Sequence, residues 1–160
     1  MSDNHWETQP RKKNGEFTYR KGKGQIYSEV FTKALKKIEA ETLKGGSYGE
    51  LRKITAGSSV FEIHHMPADS VSPLSHWKGT CIIMYKKDHV KTSSYGNKKK
   101  ASVYRQKQRE LIKKGQFLEA EWMDINEIRE LFGTKYDKAI YEKLAYEQKL
   151  ESEGKINEKS

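Results

Sequence analysis

A chain of 160 residues with 34% apolar and 33% charged side chains has room for one domain with a modest core and a strongly ionic surface. The single cysteine, Cys81, excludes a disulfide framework and any multi-cysteine zinc site, and no apolar run approaches the roughly 18 residues of a membrane span. The net charge of +9 is concentrated: Lys86 to Lys114 holds 11 Lys/Arg against two acids, whereas Phe117 to Leu150 holds eight acids against five bases. On charge alone such a field fits solvated helix faces as well as a polyanionic partner, in which each cation set against a phosphate releases condensed counterions; the adjacent histidines favour the partner.

Residues 1–24 combine few apolar residues with many turn formers and are expected to be a flexible lead-in, with His5 an incidental surface residue. From Gln25 to Leu43, the residues Ile26, Val30, Phe31, Leu35 and Ile38 recur at helical spacing, so an amphipathic helix is predicted to pack on the core and stop at Gly45-Gly46. Ser47 to Ser59 reads as mostly loop. Phe61-Glu62-Ile63-His64 alternates apolar and polar residues and is predicted to be a strand ending at a histidine pair. The Pro/Ser/Gly-rich run from Pro67 to Gly79 makes a long loop, and Cys81 to Tyr85 a second strand with an inert buried thiol. Asp88 suits an N-cap, which places His89 in the first turn of a helix.

Further helices are predicted over Ala101–Lys114, Phe117–Met123, a segment opened by the capping-box signature Asp124-Ile125-Asn126-Glu127, and Asp137 to about Leu150. In the last of these, Ile140, Tyr141 and Leu144 are expected to face inward. Residues 151–160 read as a frayed tail. The expectation is a small α+β domain over 25–150, with its functional core at about 59–95.

Four of the five histidines lie between His64 and His89, directly before the most basic stretch. Phosphodiester cleavage needs a base that is neutral near pH 7, which histidine provides, and a cation to meet the charge that develops on the phosphate. Neighbouring side chains on a strand point oppositely, so His64 and His65 can divide that labour, and His89 arrives from the helix. His76, alone in the loop, reads as surface filler. Thr92, Ser93 and Ser94 offer hydroxyls, and Lys91, Lys98, Lys99, Lys100 and Arg105 are the candidate phosphate contacts as a group.

Phe61-Glu62-Ile63-His64-His65, a proline-bearing loop, a second strand and then His89 resemble the ββα-metal (His-Me finger) fold of the HNH and endonuclease VII nucleases. The likeness is greatest to the DNase domains of colicin-type bacteriocins and to C-terminal domains of bacterial polymorphic and contact-dependent toxins. It covers about a third of the chain; Trp6-Glu7-Thr8-Gln9-Pro10-Arg11 and Asn14-Gly15-Glu16-Phe17 also resemble segments that precede such domains. The resemblance implies His65 as general base, His64 and His89 as metal ligands, and Glu62 as the acid that orients the site. It implies a divalent ion, Mg²⁺ or a transition metal such as Zn²⁺, Ni²⁺ or Mn²⁺, and DNA as substrate in preference to RNA. It further implies a secreted or delivered bacterial toxin that acts in the target-cell cytoplasm and is neutralised by an immunity protein. Two departures stand out: the second strand lacks the asparagine usual in HNH proteins, and Ser93 occupies the place of a second helical histidine. Asp88, Asn97 or water would then complete the metal shell.

Two other classes fit the same residues. One is a metal-independent RNase that uses histidine chemistry with Lys91 and Thr92. The other is a non-catalytic nucleic-acid-binding module in which the histidines hold a structural zinc.

Overall fold

The computed structural model of the chain describes residues 23–156, with side chains from Ser28 onward. His5 and the lead-in as far as Gly22 lie outside the described residues. The chain forms two compact units, one ending at Ala40 and the other beginning at Glu41. Most of helix α1 (Lys23–Thr42) belongs to the first. Its predicted helical periodicity is realised over Lys23–Thr42. Spacing of apolar residues dictates the helix, and it carries no information about what covers the stripe.

The second unit runs β1 (Gly45–Ser47), α2 (Tyr48–Thr55), β2 (Phe61–His65), β3 (Thr80–Tyr85), α3 (Lys86–His89), α4 (Lys99–Lys113), α5 (Phe117–Phe132) and α6 (Asp137–Ser152). The strands make one antiparallel sheet in the order β1-β3-β2, so the fold is α+β. The centre of the sheet is β3, whose apolar, β-branched run is fully buried on both faces from Cys81 to Met84. Burying Ile82 and Ile83 is worth roughly 1.5–3 kcal/mol each. Leu43, Leu51, Met66, Ile125, Ile128, Tyr136 and Ile140 complete that core. Cys81 is buried as expected, and burial raises its thiol pKa further above the ordinary value.

Several elements differ from the sequence reading, each for a tertiary reason. Gly45-Gly46 forms an edge strand on β3 where a helix stop alone was expected. A Cβ at Gly45 would lie 1.9 Å from the Ala139 carbonyl oxygen, so only glycine lets α6 approach this closely. Ser47 caps α2 by accepting from the Glu50 amide, and the helix buries Leu51 and Thr55, too short a stripe for periodicity to register. The two helices expected on either side of Asp124 are one, α5. Asp124 is buried in mid-helix, where it accepts hydrogen bonds from the Tyr104 hydroxyl (2.9 Å) and Gln108 Nε2 (2.7 Å).

Asp88 is likewise inside α3 and not its cap. Its buried carboxylate accepts from Lys135 Nζ (2.7 Å) and the Tyr136 hydroxyl (2.6 Å). In α6, Ile140 is buried but Tyr141 and Leu144 are exposed. The inward positions are taken by Lys143 and Glu147, which form a buried ionic cluster with Glu121 of α5. Such a cluster persists only when its charges are paired in place, since each alone carries a desolvation cost of several kcal/mol. The chain beyond α6 is not frayed as far as Ile156, which is buried, and the Lys155 amide donates to the Leu150 carbonyl. Among the described residues, no helix is long and apolar enough to cross a membrane.

Candidate functional site

β2 places its side chains on alternate faces, so Glu62 and His64 share one face and His65 takes the other. The register of the sheet then brings the third histidine to the first face. Phe61 pairs with Tyr85 at the end of β3, and the Lys86 amide continues the ladder by donating to the Val60 carbonyl (2.8 Å). α3 therefore leaves the sheet beside the start of β2 and lays His89 against Glu62 and His64. His89 Nδ1 donates to Glu62 Oε2 (2.9 Å), and its Nε2 lies 3.0 Å from His64 Nδ1, the two rings meeting edge to face at 4.8 Å. The Tyr95 ring closes on His89 from the loop after α3, at 4.9 Å. Lys86 Nζ is 3.5 Å from the other Glu62 oxygen.

On the opposite face, His65 is held from several directions. Its Nε2 is 3.2 Å from the His76 carbonyl oxygen, which can only accept, so this nitrogen carries the ring proton and Nδ1 the lone pair. Asp69 Oδ1 is 3.5 Å from the same nitrogen, and Asp69 Oδ2 accepts from His76 Nδ1 at 2.8 Å. Tyr48 stacks on the His65 ring at 5.0 Å and also packs on His76 at 4.1 Å. Gly79 lies against the ring edge, where an added Cβ would come within 2.7 Å of His65 Cδ2. These contacts confine the imidazole to one orientation.

The two arms meet. His64, His65 and His89 line one shallow cavity of about 180 Å³, together with Asp69 and the loop from Ser94 to Gly96. The Glu62–His89 pair also borders a second cavity of about 290 Å³, whose wall includes Arg52. Burial, followed by repulsion from the neighbouring histidines and Lys143, holds the His64 pKa well below the ordinary imidazole value. Burial lowers the His65 pKa against the opposing pull of the His76 carbonyl and Asp69, and lowers that of His89 against Glu62. All three are therefore neutral near pH 7, each with one ring nitrogen unprotonated.

His64 Nδ1 and His89 Nε2 are close enough for one divalent ion to reach both. With the Nδ1 proton of His89 given to Glu62, its Nε2 presents a lone pair to His64 Nδ1. His64 Nε2 is buried without a partner. With the ring proton on His64 Nδ1 the pair is an ordinary hydrogen bond; with it on Nε2, two lone pairs face each other at 3.0 Å, an arrangement that a shared cation relieves. Glu62 behind His89 is the carboxylate–histidine pairing that fixes tautomer and orientation in metal sites.

Other sequence-predicted residues fall elsewhere. The Thr92 hydroxyl is buried and donates to the His89 carbonyl, while Ser93 gives both its amide and its hydroxyl to Glu127 of α5. Arg105 donates to the carbonyls of Ser94 and Gly96 (2.7 and 2.8 Å), so it shapes the cavity loop. Lys91, Lys98, Lys99 and Lys100 are exposed, the last three at the N-terminus of α4. Asp88 is committed to Lys135 and Tyr136. His76, read from the sequence as filler, is part of the His65 arm. Asp69, Tyr48 and Gly79 carried no signal of their own, because a loop closure and an unexpected helix bring them together. Compared with protein-family models, with curated proteins and with solved structures, the chain matches none.

Proposed function

We propose that the chain is a metal-dependent endonuclease that hydrolyses nucleic-acid phosphodiester bonds, DNA in preference to RNA. The observation that carries this reading is the pair of imidazole nitrogens, His64 Nδ1 and His89 Nε2, facing each other at 3.0 Å on the wall of a cavity that also holds His65. The order of strand, loop, strand and helix that delivers them supports the resemblance to His-Me finger nucleases.

His64 and His89 would hold the ion, and Glu62 keeps His89 in the tautomer that presents Nε2. When bound, the ion supplies positive charge for the phosphate oxygens as charge develops on them. His65, with Nε2 committed to the His76 carbonyl, uses Nδ1 to take a proton from the attacking water. Its depressed pKa keeps that nitrogen unprotonated at working pH. Lys98, Lys99 and Lys100 sit at the start of α4, where cations oppose the helix dipole at about 0.3–1 kcal/mol each. A phosphate there would gain from both the lysines and the helix N-terminus. Lys91, exposed after α3, adds positive charge. The resemblance extends the reading to a toxin delivered into a target cell by a larger bacterial protein, with an immunity protein as inhibitor; a basic substrate face suits an acidic one.

The test is digestion of plasmid and total RNA with Mg²⁺, Mn²⁺, Zn²⁺, Ni²⁺ or EDTA, beside the His65→Ala variant. Cleavage should be silent in EDTA and return with metal. His65→Ala should lose roughly 10²–10⁴-fold in rate while keeping its fold and most DNA affinity. RNA cleavage that persists in EDTA would replace this reading with metal-independent histidine chemistry. Salt-sensitive binding without any nicking would replace it with a binding module.

A further inference from the structure

His65, Asp69 and His76 converge outside the His64–His89 pair. Each offers one ligand atom, and the three atoms lie within 4.8 Å of one another. The carboxylate already bridges the two imidazoles, at 3.5 Å from His65 Nε2 and 2.8 Å from His76 Nδ1. Tyr48 packs on both rings and holds them at 5.1 Å, so convergence does not depend on Asp69 alone. The His76 and Asp69 side chains are 44% and 43% exposed, whereas that of His65 is 10% exposed. Asp69 and His76 leave this side of His65 open to an ion from solvent.

We propose that His65, Asp69 and His76 form a second cation site, selective for a borderline transition metal such as Zn²⁺, and that filling it disarms His65. The chemical class follows from the ligands. Two imidazoles and one carboxylate are a zinc-type donor set, with open positions for water on the exposed side. Mg²⁺ demands oxygen ligands in near-ideal octahedral geometry, and a single carboxylate beside two nitrogens does not compete for it.

Disarming follows from the tautomer. A cation at His65 needs the Nε2 lone pair, so the proton now on Nε2 leaves to solvent and the neutral ring carries its proton on Nδ1. That nitrogen is the one the proposed general base uses. The inhibitory half thus rests on the nuclease reading, whereas the site itself rests only on the three ligands.

The two halves are separated by two measurements on the full chain. Zn²⁺ binding is counted by competition with a chromogenic chelator, and Co²⁺ is used as a probe through its visible d–d absorption. Wild type should bind about two equivalents, and His76→Ala about one. Asp69→Asn should weaken the same equivalent. His64→Ala should retain the His76-dependent equivalent and its Co²⁺ band. His76 is on an exposed turn, and circular dichroism is the check that its variant folds. If His76→Ala binds as many ions as wild type, or His64→Ala abolishes all binding, the site does not exist. In Mg²⁺-supported cleavage, excess Zn²⁺ should slow wild type by at least about 10-fold and slow His76→Ala far less. Equal inhibition of both would overturn the inhibitory half. A wild type that never cleaves would remove the nuclease reading and that half with it, and the binding count would still decide the site.

Discussion

His64 and His65 are adjacent in the chain, and their surroundings differ at almost every point. His64 is 3% exposed, has one nitrogen without a partner and has the other opposed to His89. His65 has its proton committed to a backbone carbonyl, an aromatic face under its ring and a carboxylate at its edge. An imidazole of the first kind is suited to holding an ion, because lone pairs in a dry place lack anything else to bind. One of the second kind is suited to moving a proton, because its tautomer is set and Nδ1 keeps its lone pair. A strand makes this division at no cost in sequence, since alternation sends neighbours to opposite faces. The pair shows how one dipeptide can supply two chemistries when different tertiary shells are built around its halves.

That contrast can be broken from either side. Gly79→Ala should act on the His65 arm alone. A Cβ 2.7 Å from Cδ2 must displace the ring, and a displacement near 1 Å costs about 10²-fold in rate. Calorimetric metal titration of this variant should still show the His64–His89 ion binding as in wild type; unchanged cleavage would mean that the ring position does not matter.

Glu62→Gln should act on the other arm. Removing the charge behind His89 leaves an acceptor but a less basic imidazole, so affinity for the ion should fall by about 10-fold, within the range of such partners. Cleavage at saturating metal should recover most of its rate; a loss that metal cannot restore would place Glu62 in the chemistry itself.

Asp124→Asn serves as the control that should leave both arms unaffected. Burial raises the Asp124 carboxyl from 3.8 to about 7 against hydrogen bonds from Tyr104 and Gln108. A carboxyl whose folded pKa is raised favours the folded state while protonated, and that contribution is lost as pH rises from about 4 to about 7. Urea denaturation at pH 5 and pH 8 should show wild type losing on the order of a few kcal/mol from this group, and Asp124→Asn should lack that slope. Equal slopes would show the carboxyl to be ionised throughout.

The strand–loop–strand course of the histidine stretch was legible because its signals are local: alternation at Phe61–His65, breakers from Pro67 to Gly79, and an apolar β-branched run at Thr80–Tyr85. α4 was legible within two residues at each end, through its periodicity and the following Gly115. The reading failed where a polar residue was assigned to a surface or a cap on its type alone. Asp88 and Asp124 both resemble N-caps, and both are buried acceptors, because Lys135, Tyr136, Tyr104 and Gln108 reach them from elsewhere in the chain. Tyr141 and Leu144 were read as inward beside Ile140, whereas Lys143 and Glu147 are the residues buried there, in an ionic cluster with Glu121 of α5. Burial lowers the Lys143 pKa to about 8 against the pull of Glu147.

By itself, the amino-acid sequence determined where the chain alternates, where it turns and where its charge is gathered, since these depend on near neighbours and on composition. It determined too that His64 and His65 face opposite ways, as any strand requires. Only the tertiary structure decided that His89 meets His64 and not His65, that Asp69 and His76 close around His65, and that charged side chains of α5 and α6 lie in the interior. Those outcomes depend on register and on the approach of helices, which join residues dozens of positions apart, and no local pattern encodes them.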